Sequence, residues 1–239
     1  MGYFKKQKGD KMQETCVPKE TLAEVQALKS IDIPDRGIRK ETLERFGVKV
    51  AVSQQDGKTP EAVYFPSYNQ KGKVTGYSKQ DLTKSKEEKY HWSVVGSVTI
   101  GNKMFGQQVA ESQNRKRNNL VITEGQYDCL SVFQALVDNV KGTKYEGIEP
   151  LVVSIPMGTA NAVEAILHNE AYVQSHDALT IFFDDDHCTP AELKKNIMKG
   201  HEAREAVANA LVGSGISLFT VTPEEGFKDA SDFLQANLS

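Results

Sequence analysis

The chain is poor in the residues that usually advertise a fold or a compartment. It holds three cysteines, Cys16, Cys129 and Cys188, far apart and with no CxxC pair. Neither a zinc ribbon nor a disulfide framework can be assembled from that spacing, so the three thiols are expected to be reduced and structural. No apolar run approaches the roughly 20 residues a membrane helix needs. The lysine-rich start, residues 1–11, has no apolar core behind it of the kind a secretory leader carries. These absences predict a cytoplasmic protein with no zinc of its own and no membrane partner.

What is present is ordinary in bulk: 39% hydrophobic and 26% charged residues in 239, enough for one large domain or two small ones. The formal charge of −3 conceals a division. Residues 1–117 carry 22 Lys and Arg against 14 Asp and Glu, a net of +8, while 118–239 carry 7 against 18, a net of −11. A basic half suits a polyanion such as nucleic acid, and an acidic half suits divalent cations. Two solvated surfaces of opposite sign would give the same counts, so charge alone leaves the choice open.

Along the chain, Leu22, Val25 and Leu28 stand at helical spacing within 18–28. A second helix is expected over 39–46, stopped by Gly47, where a left-handed cap strains glycine least. Residues 62–68 and 74–77 read as strands joined by a turn around Gly72. The polar, basic stretch 113–119 is the candidate boundary. This divides the chain into a tail or linker with a first helix (1–30), a basic α+β unit (31–117) and a second unit (118–239).

In that second unit the pattern alternates. Strands are expected at 120–123, 151–155, 179–183 and 216–221, and helices at 127–137 and 160–167, with a helical stretch over 191–212 interrupted near Gly200. Buried apolar runs alternating with amphipathic helices predict an α/β fold with a mostly parallel sheet flanked by helices on both faces. Chemistry in such sheets sits at the carboxyl ends of the strands.

Acids occur at two of those ends. Glu124 follows 120–123 directly, and Asp184, Asp185 and Asp186 follow 179–183. If the two strands are neighbours, the carboxylates converge and repel one another unless a cation binds between them. Magnesium, which takes hard oxygen ligands, is the expected ion. Alternation along an extended segment puts Asp184 and Asp186 on one side and Asp185 on the other, so the outer two are the expected ligands beside Glu124. Taken singly, Glu124 reads more readily as an acid at a helix N-terminus, and the triplet as a solvated loop. Five apolar residues leading straight into the triplet weaken the loop reading, and the two motifs together are more specific than either.

The segments Val121-Ile122-Thr123-Glu124-Gly125-Gln126-Tyr127-Asp128 and Ile181-Phe182-Phe183-Asp184-Asp185-Asp186 resemble the TOPRIM family of primases, topoisomerases and some nucleases. Its marks are a strand ending in EGxxD and a later strand ending in DxD. The family's glycine after DxD is replaced here by His187-Cys188-Thr189-Pro190, read as loop residues, and the run from Gly200 to Ala206 is similar to a displaced continuation. Further segments are similar to the primase, or RNA-polymerase, domain of phage-type primase-helicases and their mitochondrial relative. They are 36–47, 64–68 with 76–79, 103–107, 153–158 and 228–234, so the resemblance spans roughly 31–235.

That resemblance implies a DNA primase core, a nucleotidyltransferase making short RNA primers on single-stranded DNA from ribonucleoside triphosphates with magnesium or manganese. It implies Glu124, Asp184 and Asp186 as metal-holding catalytic acids, with Asp128 and Asp232 as outer-shell or second-metal acids. Lys79 and Lys103 would meet triphosphate or the growing RNA primer, Lys228 would stand near the acids, and Arg115, Lys116 and Arg117 would form a phosphate-binding linker. For any one lysine a solvated surface charge is an equal reading. Tyr90 and Trp92 could stack on template bases, but Val94 and Val95 beside it favour core packing for Trp92.

No zinc-binding cysteine set precedes residue 31 and no P-loop follows 235. The chain is therefore expected to be a fragment or a stand-alone core, working with a replicative helicase domain or subunit and a zinc-binding module. Two alternatives stay open: a TOPRIM nuclease using the same acids with water, and a catalytically silent nucleic-acid-binding relative. A topoisomerase is disfavoured, since nothing supplies a separate domain with a nucleophilic tyrosine.

Overall fold

Two kinds of apolar pattern build two kinds of sheet. The structure, a computed structural model, describes residues 20–85, 88, 91–113, 118–185, 199–224 and 226–238. The first half forms an antiparallel sheet, ordered β1 (Lys49–Val52), β2 (Pro60–Tyr68), β3 (Val74–Asp81), β4 (Trp92–Gly96). Asn69 shapes the β2–β3 turn, its side-chain oxygen accepting from the N–H groups of Lys71 and Lys73 at 3.0 Å each.

Side-chain alternation gives that sheet two faces. Ala62, Tyr64, Tyr77 and Val95 lie on one, covered by α1 (Leu22–Ala27) through Val25. Val63 and Phe65 lie on the other and enter the larger core. Helix α1 begins at a reciprocal cap between Thr21 and Glu24, a T-x-x-E signature legible in the sequence. Helix α2 (Lys40–Phe46) ends at Gly47, whose φ of 69° is the expected left-handed cap.

The second half forms a parallel sheet ordered β6 (Leu151–Ser154), β5 (Asn119–Thr123), β7 (Ala178–Phe182), β8 (Ser217–Val221). Val121 and Val152 face α4 (Gln126–Asn139) and α8 (Ala230–Leu238). Leu120, Ile122, Val153, Leu179 and Ile181 face α5 (Ala162–His168) and α7 (Lys199–Ala210), with the short α6 (Glu170–Val173) between β6 and β7. Helices thus cover both faces, as the alternating pattern predicts.

Some elements depart from expectation. Strands β1 and β4 and helix α3 (Gln107–Ser112) are too short and carry too few periodic apolar residues to be read from sequence, and α8 is not among the expected helices although Ala230, Phe233 and Leu234 stand at helical spacing. The described part of α7 begins at Lys199, with Gly200 buried in its first turn, beside the place where the pattern is expected to be interrupted. The stretch 191–198, expected to be helical, lies outside the described residues.

The two halves join along α4, where residues from Tyr127 to Gln134 are all buried. Phe46 meets Phe133 edge-on at 4.9 Å and Phe105 at 5.4 Å, while Phe65 meets Tyr127 at 5.0 Å. Gly106 lies so close to β6 that a Cβ would stand 2.5 Å from the Val152 carbonyl oxygen. Gln134 clamps the junction: its oxygen accepts from the Arg39 N–H at 2.9 Å and the Thr42 hydroxyl at 3.0 Å, and its amide donates to Gly37 O at 2.8 Å. Arg39 adds a two-pronged ion pair to Asp138, 2.8 Å on each prong.

Gln134→Met keeps the volume and strands three polar groups, the Thr42 hydroxyl buried and the Arg39 N–H and Gly37 carbonyl partly so. It is expected to lower the unfolding free energy by roughly 2–4 kcal/mol in urea denaturation. A loss under about 0.5 kcal/mol would show that the junction does not rely on this clamp.

Candidate functional site

Strands β5 and β7 are hydrogen-bonded neighbours with Thr123 opposite Phe182, so Glu124 and the Phe183-Asp184 pair leave the same sheet edge side by side. Gly125 is the N-cap of α4 and its N–H donates to Asp128 Oδ2 at 3.2 Å. A Cβ on Gly125 would stand 2.8 Å from that oxygen, which is the spatial reason for a glycine three residues before the acid. Asp128 Oδ1 in turn accepts from the Ser231 N–H at 3.2 Å, so one buried carboxylate serves the N-termini of both α4 and α8.

The loop into α8 brings a further acid. Asp229 caps that helix, accepting from the Asp232 N–H at 2.7 Å, and the Asp185 N–H donates to Lys228 O at 2.8 Å. Segments 183–185 and 228–232 are thereby tied together beside Glu124.

The electrostatics register the crowding. Burial, then the charge of Asp229 and that of Glu124, push Asp128 well above the usual carboxylate range, against two backbone hydrogen bonds that pull it down. Asp184 is pushed up to about 9 by burial, then by Glu124, Asp128 and Asp229, with the Lys228 ammonium pulling the other way. Asp185 is turned toward α7, its carboxylate 3.2 Å from His201 Nε2.

Among the described residues no group of three or more His, Cys, Asp or Glu side chains stands close enough to hold an ion by itself. Of the expected three-acid set the described members are Glu124 and Asp184. Asp186, Arg115, Lys116, Arg117, Tyr90, His187 and Cys188 lie outside the described residues. Two carboxylates with the remaining positions left to water and phosphate is the way magnesium usually binds in phosphoryl-transfer sites. The oxygen-only donor set therefore suits a hard divalent ion.

The lysines divide. Lys228 stands at the acids, as its effect on Asp184 records. Lys79 does not: its register partners are Tyr64 and Ser93, on the sheet face covered by α1. Its ammonium pairs with Glu20 at 2.8 Å and lies 5.3 Å over the Tyr64 ring. Ser78, one residue earlier, takes the face toward the acids. Lys103 is paired with Glu111 and its side chain is only 9% exposed, which makes it part of the packing around α3. Asp232 is half-buried on the first turn of α8.

A cleft of about 530 Å³ opens on Glu124, lined by Ser78, Trp92, Ser93, Val94 and Val98 from one half, and by Gly125, Gln126, Ile155, Met157 and Gly158 from the other. Trp92 is 37% exposed and packs on Phe65 with ring centroids 5.8 Å apart, so the core packing expected of it holds for one face only. Sequence reading passed over three residues here. Asp229 sits inside the 228–234 segment but was overshadowed by Asp232. Arg36 lies 4.8 Å over the Tyr127 ring, its guanidinium donating to Ser231 Oγ at 3.5 Å. Met157 lies inside the 153–158 segment, where nothing in the sequence marks it out from its neighbours.

No family model matches the chain, and no curated protein matches it. Solved structures do. The primase fragment of the bacteriophage T7 primase-helicase is 21% identical with a TM-score of 0.61, over 87% of this chain and 70% of that one. A chain from the bacteriophage T7 structure in which lagging-strand DNA polymerase interacts with primase domains bound to an RNA/DNA hybrid and dTTP is 21% identical. Its TM-score is 0.58, over 91% and 90% of the two chains. The E. coli primase catalytic core is 16% identical with a TM-score of 0.57, over 84% and 66%. At these identities the likeness is one of fold: the chain has the architecture of those primase catalytic cores.

In the absence of divalent cations the native state holds a proton on Asp184 up to about pH 9, whereas the unfolded chain releases it near pH 4. Between those values the native state binds the extra proton, so stability falls as pH rises. Asp184→Asn removes that dependence. In EDTA the variant is expected to be more stable than the parent at pH 8, with the advantage shrinking toward pH 5, as urea denaturation would measure. A variant less stable at pH 8 would mean that the carboxylate is not under repulsion.

Proposed function

We propose that the chain is the catalytic core of a DNA primase, joining ribonucleoside triphosphates into short RNA on single-stranded DNA in the cytoplasm. One observation carries the reading: Glu124 and Asp184 emerge side by side at the carboxyl edge of a parallel sheet whose fold is shared with primase cores. Neighbouring carboxylates that raise one another's proton affinity are a poor resting arrangement and a good cation site.

Glu124 and Asp184 would hold magnesium, or manganese in its place, and the ion supplies charge neutralisation on the triphosphate and favours attack by a 3′-hydroxyl. Asp128 and Asp229 keep the site's potential negative and fix its geometry through the caps of α4 and α8. Lys228 balances part of that charge beside Asp184 and would meet a phosphate. The basic residues of 1–117 supply attraction for the template strand, a force that weakens with salt through counterion release. A helicase domain or subunit and a zinc-binding module are the partners this reading entails, the T7 relative being a primase-helicase.

With single-stranded DNA, ribonucleotides and magnesium or manganese, the protein is expected to extend a short RNA primer. Extension is the sturdier assay, because unprimed initiation must gather two free nucleotides and a template at once. Glu124→Gln and Asp184→Asn should each lower extension roughly 100-fold or more, and Asp185→Asn, whose carboxylate faces His201, should cost far less. Equal losses at 184 and 185 would refute the assignment, and metal-dependent cleavage without synthesis would favour a nuclease. Independently of activity, manganese should raise the melting temperature of the parent and raise that of Glu124→Gln less.

A further inference from the structure

Phosphate chemistry at Glu124 and Asp184 has no use for apolar surface, yet the cleft that opens on Glu124 has an apolar wall. Trp92, Val94 and Met157 are 37%, 55% and 57% exposed and all line it. Three large apolar side chains left open at one place mark a binding surface more often than chance exposure.

The wall is also held in shape. One face of Trp92 rests on Phe65, which is itself buried against Tyr127 and Phe105, so the ring is backed by the core. Met157 has a φ of 62°, the one positive value at a non-glycine among the described residues, and Gly158 follows at 78°. A left-handed methionine costs on the order of 1 kcal/mol and persists because its surroundings demand it. The buried Pro156 precedes it, and Asn161 Nδ2 donates to its carbonyl at 3.2 Å.

We propose that Trp92, Val94 and Met157 form a subsite for a nucleobase, a proposal that rests on the primase reading and adds the ligand's other half. A ligand fitting this cleft needs a flat, largely apolar part for the wall and an anionic part that reaches the acids through a cation. A nucleotide has both. The volume of about 530 Å³ lies in the range that small-ligand sites occupy. Ser78 and Gln126, lining the same cleft, offer a few polar groups to the base edge. Stacking tolerates any base, as copying a template requires. The base belongs either to the incoming nucleoside triphosphate or to the template strand.

Trp92 is the chain's one tryptophan, so its fluorescence reports on this wall alone. The full chain would be titrated with ATP and magnesium, with oligo(dT) without metal, and with inorganic tripolyphosphate and magnesium as a baseless control. Quenching by ATP or by oligo(dT), but not by tripolyphosphate, is expected, and which of the two quenches identifies the source of the base. No change with either base-bearing ligand overturns the proposal even if the protein makes RNA. Quenching in a protein that makes no RNA would instead remove the primase reading and leave the subsite standing. Trp92→Ala should weaken calorimetric binding of the quenching ligand about tenfold, with tripolyphosphate binding unchanged and Trp92→Phe close to the parent. Val94→Ser, at an exposed position, should weaken the same ligand with the fold intact by circular dichroism. Equal weakening of tripolyphosphate in both variants would make the wall structural and overturn the assignment.

Discussion

Helix α4 is buried all the way round from Tyr127 to Gln134, and most of the molecule is arranged by that burial. An amphipathic helix needs one partner, whereas a helix with no wet side over two turns needs partners in every direction. Here the parallel sheet takes one flank, α8 another, and α2 with the antiparallel sheet the rest. One of the polar groups that go in with them, the Gln134 amide, is satisfied across the junction by Gly37, Arg39 and Thr42. The helix that seals the two halves is also the one whose N-terminus carries Gly125 and Asp128. Docking of the basic half and placement of the acids are therefore one structural event.

The acids themselves form an arrangement that folding alone would avoid. Burial and mutual repulsion raise both Asp128 and Asp184. The protein offsets part of this with N–H groups at two helix termini and with Lys228, and leaves the remainder. Asp128 is the most enclosed and the best provided with donors, which suits a group that positions its neighbours. Glu124 and Asp184 stand at the strand ends, and Glu124 lines the open cleft. The cleft beside them adds an apolar, core-backed wall contributed by both halves. Neither half has the whole site by itself.

Much of this was legible in the residues. EGxxD works because the helix starts at the glycine, the fifth position caps it, and a side chain at the second would collide with that cap, all of which is local geometry. The strands 120–123, 151–155 and 179–183 announced themselves because a parallel sheet is buried on both faces and its strands are continuously apolar. Gly47 ended its helix as written. Strand β4 went unread because Trp-Ser-Val-Val-Gly on a sheet edge need not alternate, and α8 because its most telling residues, Asp229 and Ser231, act through contacts with Asp128 more than a hundred residues earlier.

The sequence by itself determined the two sheets' characters, the charge division and the acids at two strand ends, since each follows from local periodicity or composition. Only the tertiary structure decided that β5 and β7 are neighbours in register, which is what makes Glu124 and Asp184 a pair. It also decided that Asp229 joins them, and that Lys79 faces Glu20 and Tyr64 while Ser78 takes the side toward the acids. A strand's two faces are equivalent in sequence until something packs on one of them. Here the burial of Phe65 against α4 settled the choice, turned Trp92 and Val94 toward the acids, and sent Lys79 to the other side.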